Sequence, residues 1–455
     1  MRRFLSAAAL AAFLITPANA DHDLSHIPEP GADLGEIYRF LHANPELSFQ
    51  EVETSALLSA ELETLGFEVT TGVGADWVRA KAMIAAGQLY ENVGGYGVVG
   101  VMENGVGPSI LVRTDMDALP VPEQTGKPYA SKVSSIGWTG VDSPVMHACG
   151  HDVHMTSWVG AARELSARKD EWSGTLIMIA QPAEELGLGA PAMLADGLFE
   201  RFPKPHANLA LHVSPTIPAG EVGYAEGYAL AAVDTVDIRV FGSGGHGAYP
   251  HTTKDPVVIA SHIVTALQTL VSRNVDPQEP AVVTVGSIQA GAKHNIISDE
   301  AIMKLTVRTY SDEVRQILLD GIVRVANGQA ATFGAPEPEV EFETDYIPST
   351  YNDPELSQQS AAAISAAIGE DKVYTIPAVM GGEDFAHYSR TKDKIPSFIF
   401  WLGGLDAEFA ASGKPLPSLH SSLFAPDADT AVPIGVDAMV AATIKAFAAY
   451  GEADQ

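Results

Sequence analysis

Cysteine is almost missing from this chain of 455 residues, which has one, Cys149. One thiol cannot close an intrachain disulfide, so Cys149 is left as a buried apolar residue, a partner in an interchain bridge, or a metal ligand. Basic residues are scarce too. Lys and Arg number 27 against 57 Asp and Glu, a formal net charge of −30. Such a field excludes nucleic acid and anionic membrane surfaces as partners. No long acidic run accompanies the excess, so it reads as a solubility feature rather than as cation storage. Long hydrophobic runs are missing beyond the N-terminus: none approaches the roughly 20 residues a spanning helix needs, which excludes stable membrane insertion by any later segment. A hydrophobic content of 46% is nonetheless too high for a disordered chain and fits two or more packed domains.

The N-terminus carries Arg2 and Arg3, an uncharged apolar run from Phe4 to Ile15, and Ala18-Asn19-Ala20. This is the grammar of a secretory signal cleaved after Ala20. It predicts a mature chain from Asp21, exported to the periplasm or the medium, with 25 basic residues left. An uncleaved anchor is the other reading of the same run. A lipid-modified N-terminal cysteine is excluded, because Cys149 lies far downstream.

Residues 31–69 read as two amphipathic helices broken at Asn44-Pro45. Three short apolar runs follow, in "GPSILVRTDMDALP", "GTLIMIAQPAEELG" and "ANLALHVSP", each closing abruptly on acids or a histidine. Helical segments, "HDVHMTSWVGAARELSAR" and "GAPAMLADGLF", lie between them, which predicts an α/β fold around a mainly parallel sheet, with the polar residues beyond the strands' carboxyl ends where such sheets bind ligands. From about Val233 the order becomes βαββαβ, a ferredoxin-like pattern. The expected layout is a signal over 1–20, a catalytic domain over 21–232 and 346–455, and an inserted lid or dimerisation domain over 233–345.

Cys149 and His151, two positions apart in a loop leading into a helix, can both turn toward one zinc-like ion. A buried free cysteine beside a structural histidine has the same spacing. The adjacent Glu184 and Glu185 cannot both be core residues, and one as ligand with one as base is an economical division. His212 in isolation reads as a core histidine bonded to backbone. Arg308 can meet a substrate carboxylate or make surface ion pairs. His147, Asp152 and His154 read as supports for the ligands or a helix cap.

The ordered motifs "RTDMDALP", "MHACGHD", "QPAEELG", "ALHVSP", "GSGGHGAYPHTTKDP", "HNIISDEA", "MGGEDF" and "LHSSLF" resemble the M20 metallopeptidase family. The likeness is to its amidohydrolase branch of N-acyl amino acid, hippurate and auxin-conjugate hydrolases, and it covers nearly the whole mature chain. The resemblance implies two divalent ions (Zn, Mn or Co) per subunit, held by Cys149, His151, Glu185, His212 and His420, with Cys149 bridging. It makes Glu184 the general base and Asp117 the orienting aspartate. Other branches have His-x-Asp where this chain has Asp115-Met116-Asp117, which leaves metal contact by Asp115 open and makes His151 a compensating ligand. His246 and Asn295 are implied as donors to the developing oxyanion, His246 reaching into a neighbouring subunit and so implying a homodimer. Gly381, Gly382 and Glu383 resemble a cleft-lining loop with no chemical step assigned, and His251 is unassigned. The activity implied is hydrolysis of the amide bond in N-acyl amino acids or related small conjugates. A dipeptidase or carboxypeptidase is the alternative, and a non-catalytic binding protein a remote one.

Overall fold

The computed structural model describes residues 24–86, 93–94, 96–137 and 140–453. The expected signal sequence lies outside these residues.

Asp33 opens the first helix, α1 (Leu34–Ala43), by accepting the Gly35 N–H, and Asn44 closes it. Helix α2 (Val52–Leu65) stops at Gly66, which takes a left-handed φ of 88°. The strands β1 (Glu68–Val73), β2 (Gly97–Asn104) and β3 (Ser109–Asp115) then enter one sheet, followed by α3 (His151–Ala167), β4 (Gly174–Gln181), β5 (Ala207–Pro218) and β6 (Val222–Tyr224). The chain next builds a second sheet from β7 (Ala232–Phe241), α4 (Pro256–Arg273), β8 (Ala281–Ala290), β9 (Glu300–Thr309), α5 (Asp312–Thr332) and β10 (Glu339–Phe342). It returns through α6 (Pro354–Ile368), β11 (Val373–Thr375), β12 (Ser397–Leu405) and α7 (Ala428–Ala453).

The larger sheet has the order β1-β2-β4-β3-β5-β12-β6-β11. Its centre, β4-β3-β5-β12, is parallel throughout. β1 and β2 run antiparallel at one edge, and β6 pairs antiparallel with β12. The central strands are covered on both faces, as parallel strands require. Ile110 and Val112 of β3 join the core beneath α1–α3, α6 and α7, while Leu111 between them joins the opposite core with Ile177, Ile179 and Phe385. The smaller sheet, β8-β9-β7-β10, is antiparallel, with α4 and α5 packed on it, and has its own core around Val236, Ile238, Ile263, Leu267, Leu305 and Ile322. This is the expected βαββαβ unit.

Two local expectations are corrected. The stretch "GAPAMLADGLF" forms two short helices, Gly189–Ala195 and Leu198–Arg201, because Gly197 takes a φ of 85° between them. His212 does not close a strand, since β5 runs on to Pro218. What ends near His212 is the pairing with β3, whose last partners are Arg113 and Ala210. Among the described residues one helix segment, Ala428–Gly451 in α7, is long and apolar enough to cross a membrane, and it packs against α3 and α6 in the core.

Candidate metal centre

The site forms where β3, β4 and β5 stop pairing. Gly150 makes its nearest turn possible: a Cβ there would lie 2.4 Å from Val213 Cγ1, and its φ is 84°. Only glycine fits both conditions, and it lets the loop bearing Cys149 turn directly into α3, whose first residue is His151. Asp152 is therefore not the helix cap the sequence suggested. Its carboxylate accepts from His42 at 2.7 Å, and His42 also meets Glu123 at 3.1 Å.

Ligating atoms of Cys149, His151 and His212 lie within 4.8 Å of one another, as do those of Cys149, Glu185 and His420, and of His151, Glu184 and Glu185. The structure thus brings all five implied ligands and Glu184 into one cluster. Cys149 is buried, which removes the interchain bridge as its role, and its Sγ is 3.5 Å from His212 Nε2. His420 is the exposed member; its backbone has a φ of 64°, its N–H donates to the Ala148 carbonyl, and its Nε2 is 3.4 Å from Glu185 Oε1.

Hydrogen bonds set the ring orientations. His151 Nδ1 donates to the Asp117 carbonyl and His212 Nδ1 to the Val213 carbonyl, both at 2.7 Å, which turns each Nε2 into the cluster. His154 is fully used: Nδ1 donates to Asp115 Oδ1 and Nε2 accepts the Val213 N–H, both at 2.7 Å. Asp115 is used as well, its second oxygen 2.6 Å from Arg113. His154 and Asp115 therefore support the centre from behind. Asp117 accepts the N–H groups of Glu184 and Glu185 at 3.0 and 3.1 Å and the Ser48 hydroxyl at 2.6 Å.

A divalent cation fits this donor set. Among the described residues, His151 Nε2 and Glu185 Oε1 are buried without a hydrogen-bond partner, a costly state unless something else occupies the space between them. The local charge agrees. Burial raises Glu184 well above the usual carboxylate range, and Glu383, Glu185, Asp384 and Asp117 push it further. Burial and then Glu185 raise the Cys149 thiol. Burial works to lower His151, but Asp115, Asp117 and Glu185 overcome it and lift its pKa to about 10. A proton on His151 and a divalent ion are alternative ways of neutralising the same carboxylates.

Several residues here escaped the sequence reading. Arg113 is fully buried and binds Asp115, Glu383 and Asp384, while Gln181 Nε2 donates to Asp384. A charge embedded in the apolar run "SILVRTD" was the available signal for a buried ion pair. His246 and Asn295 lie exposed on the smaller sheet's side of the molecule, joined through a short ladder and the Gly247 N–H to Asn295 carbonyl bond. Among the described residues no hydrogen bond ties either to the metal cluster. Arg308 is half-buried, bonds Thr306 Oγ1, and has its Nη1 3.5 Å from the Met380 carbonyl. No carboxylate pairs with it among the described residues.

Comparison with known proteins gives the same direction. The chain is 38% identical over 366 residues to N-acetylcysteine deacetylase of Bacillus subtilis, covering 80% of this chain and 86% of the relative. It is 35% identical over 397 residues to thermostable carboxypeptidase 2 of Saccharolobus solfataricus, covering 87% and 90%. Among solved structures it resembles the Bacillus subtilis YXEP protein, a dinuclear metal binding peptidase from the M20 family, with a TM-score of 0.68, 32% identity, and coverage of 91% of this chain and 98% of that one. The sequence model of peptidase family M20/M25/M40 matches residues 111–425, a span that runs from β3 to beyond His420 and includes the whole cluster. The chain belongs to that family.

Proposed function

We propose that this protein hydrolyses the amide bond of N-acyl amino acids or related small amide conjugates, using two divalent ions (Zn, Mn or Co). The carrying observation is the convergence of one thiol, three imidazoles and two adjacent glutamates around buried atoms that lack partners among the described residues. Cys149, His151, Glu185, His212 and His420 would hold the ions. When bound, such ions would supply acidification of a water and polarisation of the amide carbonyl. Glu184 accepts the proton of the attacking water and returns it to the leaving nitrogen. Asp117 fixes the directions of Glu184, Glu185 and His151 through their backbone and ring N–H groups. Arg308, a half-buried guanidinium without a carboxylate partner among the described residues, receives the substrate's carboxylate. His246 Nδ1 accepts the Ala248 N–H at 3.0 Å, so the ring's other nitrogen carries the proton it offers to an oxyanion.

His246 is exposed in one chain, which suits delivery of that donor to the partner subunit's site in a homodimer. The inserted unit, 233–345, has the free edge strand β8, with exposed Ile288, and exposed Val257 and Val258 on α4; such an edge is a natural subunit contact. Export rests on the N-terminal signal grammar, and mass analysis of the mature chain should find Asp21 at its start, whereas an intact Met1 in the cytoplasm would refute it.

The N-acetylcysteine deacetylase likeness favours acyl amino acids, and the carboxypeptidase likeness supports the second reading. Turnover of N-acetyl and N-benzoyl amino acids against free dipeptides, after reconstitution with zinc, manganese or cobalt, decides between them. Rapid dipeptide cleavage with little action on acyl amino acids would select the peptidase.

A further inference from the structure

Three consecutive backbone N–H groups at the glutamate turn end on carboxylates. Those of Glu184 and Glu185 go to Asp117, and that of Ala183 goes to Glu51 Oε1 at 2.9 Å. Glu51 has no part in the function proposed above. It precedes α2, is 0% exposed, and its Oε2 has no hydrogen-bond partner among the described residues. A carboxyl group in the core with so little to compensate it calls for a reason.

Ala183 supplies one. Its φ is 51°, in the left-handed region that alanine seldom adopts. That conformation ends the extended chain leaving β4 and starts the 3-10 turn Glu184–Leu186, so it sets the directions in which both glutamates leave the backbone. A left-handed residue followed by a helical turn points successive N–H groups inward, toward an anion, and here protein carboxylates fill that position. Neighbours of Glu51 hold the same turn: the Ser48 hydroxyl donates to Asp117 Oδ2, and Phe49 packs with Ala183, Val78 and Ala192.

We propose that Glu51 is a positioning residue whose carboxyl oxygen, by accepting the Ala183 N–H, keeps Ala183 left-handed and thereby aims Glu184 and Glu185 into the metal centre. The inference rests on the base and ligand roles proposed for those two residues.

Glu51→Leu keeps bulk and removes the acceptor, whereas Glu51→Gln keeps an acceptor. In the metal-reconstituted full chain, Glu51→Leu should lose on the order of 10- to 100-fold in kcat, the scale of a small misplacement of reacting groups. Glu51→Gln should stay within about threefold, since it can still receive the amide proton. Adding Ala183→Gly to Glu51→Leu should restore most of the lost kcat, because glycine takes a positive φ without outside support. Melting temperatures and metal content are measured beside the kinetics. A lower melting temperature without loss of kcat, or no recovery on adding Ala183→Gly, makes Glu51 a packing residue and overturns the proposal. If Glu51→Leu does not fold, Glu51→Ala replaces it and the recovery test decides in the same way. Normal turnover by Glu184→Gln would sink the base assignment instead, while leaving the Glu51–Ala183 coupling measurable.

Discussion

Glu184 and Glu185 are neighbours in sequence with different surroundings. Glu184 faces Glu383 and Asp384 as well as His151, while Glu185 reaches Cys149 and His420. Glu184→Gln should keep its metals and lose on the order of 10² to 10⁴ in kcat, the usual worth of a general base. Glu185→Gln should lose metal, and activity with it. Equal metal loss in both variants would overturn the division of roles, and the reverse pattern would exchange them. Cys149 makes a second case. Burial raises its thiol, so without a cation it stays protonated, and a bound divalent ion would displace that proton. Cys149→Ser should weaken metal binding, since a neutral hydroxyl replaces a thiolate. Titration with zinc that gives two ions per subunit at unchanged affinity would show that Cys149 is not a ligand.

Elements meet around the centre through buried charge, and one such joint can be titrated. His42 on α1 lies between Asp152 on α3 and Glu123 in the loop after β3. Burial lowers the imidazole's pKa, but hydrogen bonds to the two carboxylates outweigh it and raise it to about 9. The folded pKa exceeds the unfolded value of about 6.5. Its contribution is therefore complete below about pH 6.5 and fades as pH rises through about 9. A shift of this size corresponds to roughly 3 kcal/mol. The unfolding free-energy difference between wild type and His42→Gln should shrink across that window in denaturant titrations; a difference that stays flat from about pH 6 to 10 removes the ion pair as its source.

For the whole molecule, the proposed dimer makes a testable demand. If His246 acts on the partner's site, a Glu184→Gln chain and a His246→Ala chain are each defective alone but complement each other. Mixed in equal amounts with free exchange, they should recover about a quarter of wild-type activity, since half the dimers are mixed and each has one complete site. No recovery, despite mixed dimers seen by native mass spectrometry, would place His246 in its own subunit's site or in none.

Much was legible in one dimension because local rules left few options. Strand-length apolar runs between helices specify a parallel centre, the βαββαβ order specifies the smaller sheet, and the Cys-x-His and paired-Glu motifs mark the ends of the right elements. The spacing of motifs could not show which carboxylates are already spent. Asp115 and His154 look as available as Cys149 and His151 until Arg113 and the Val213 N–H are seen to occupy them. Asp384 lies 271 residues from Arg113 and Glu51 lies 132 from Ala183, and only the packed fold brings these pairs within hydrogen-bond distance. Residue type and local pattern determined the chemistry on offer. Tertiary structure decided which groups remain free to perform it, because burial drives most polar atoms to a partner drawn from a distant segment and leaves the few without one, such as His151 Nε2, facing the site.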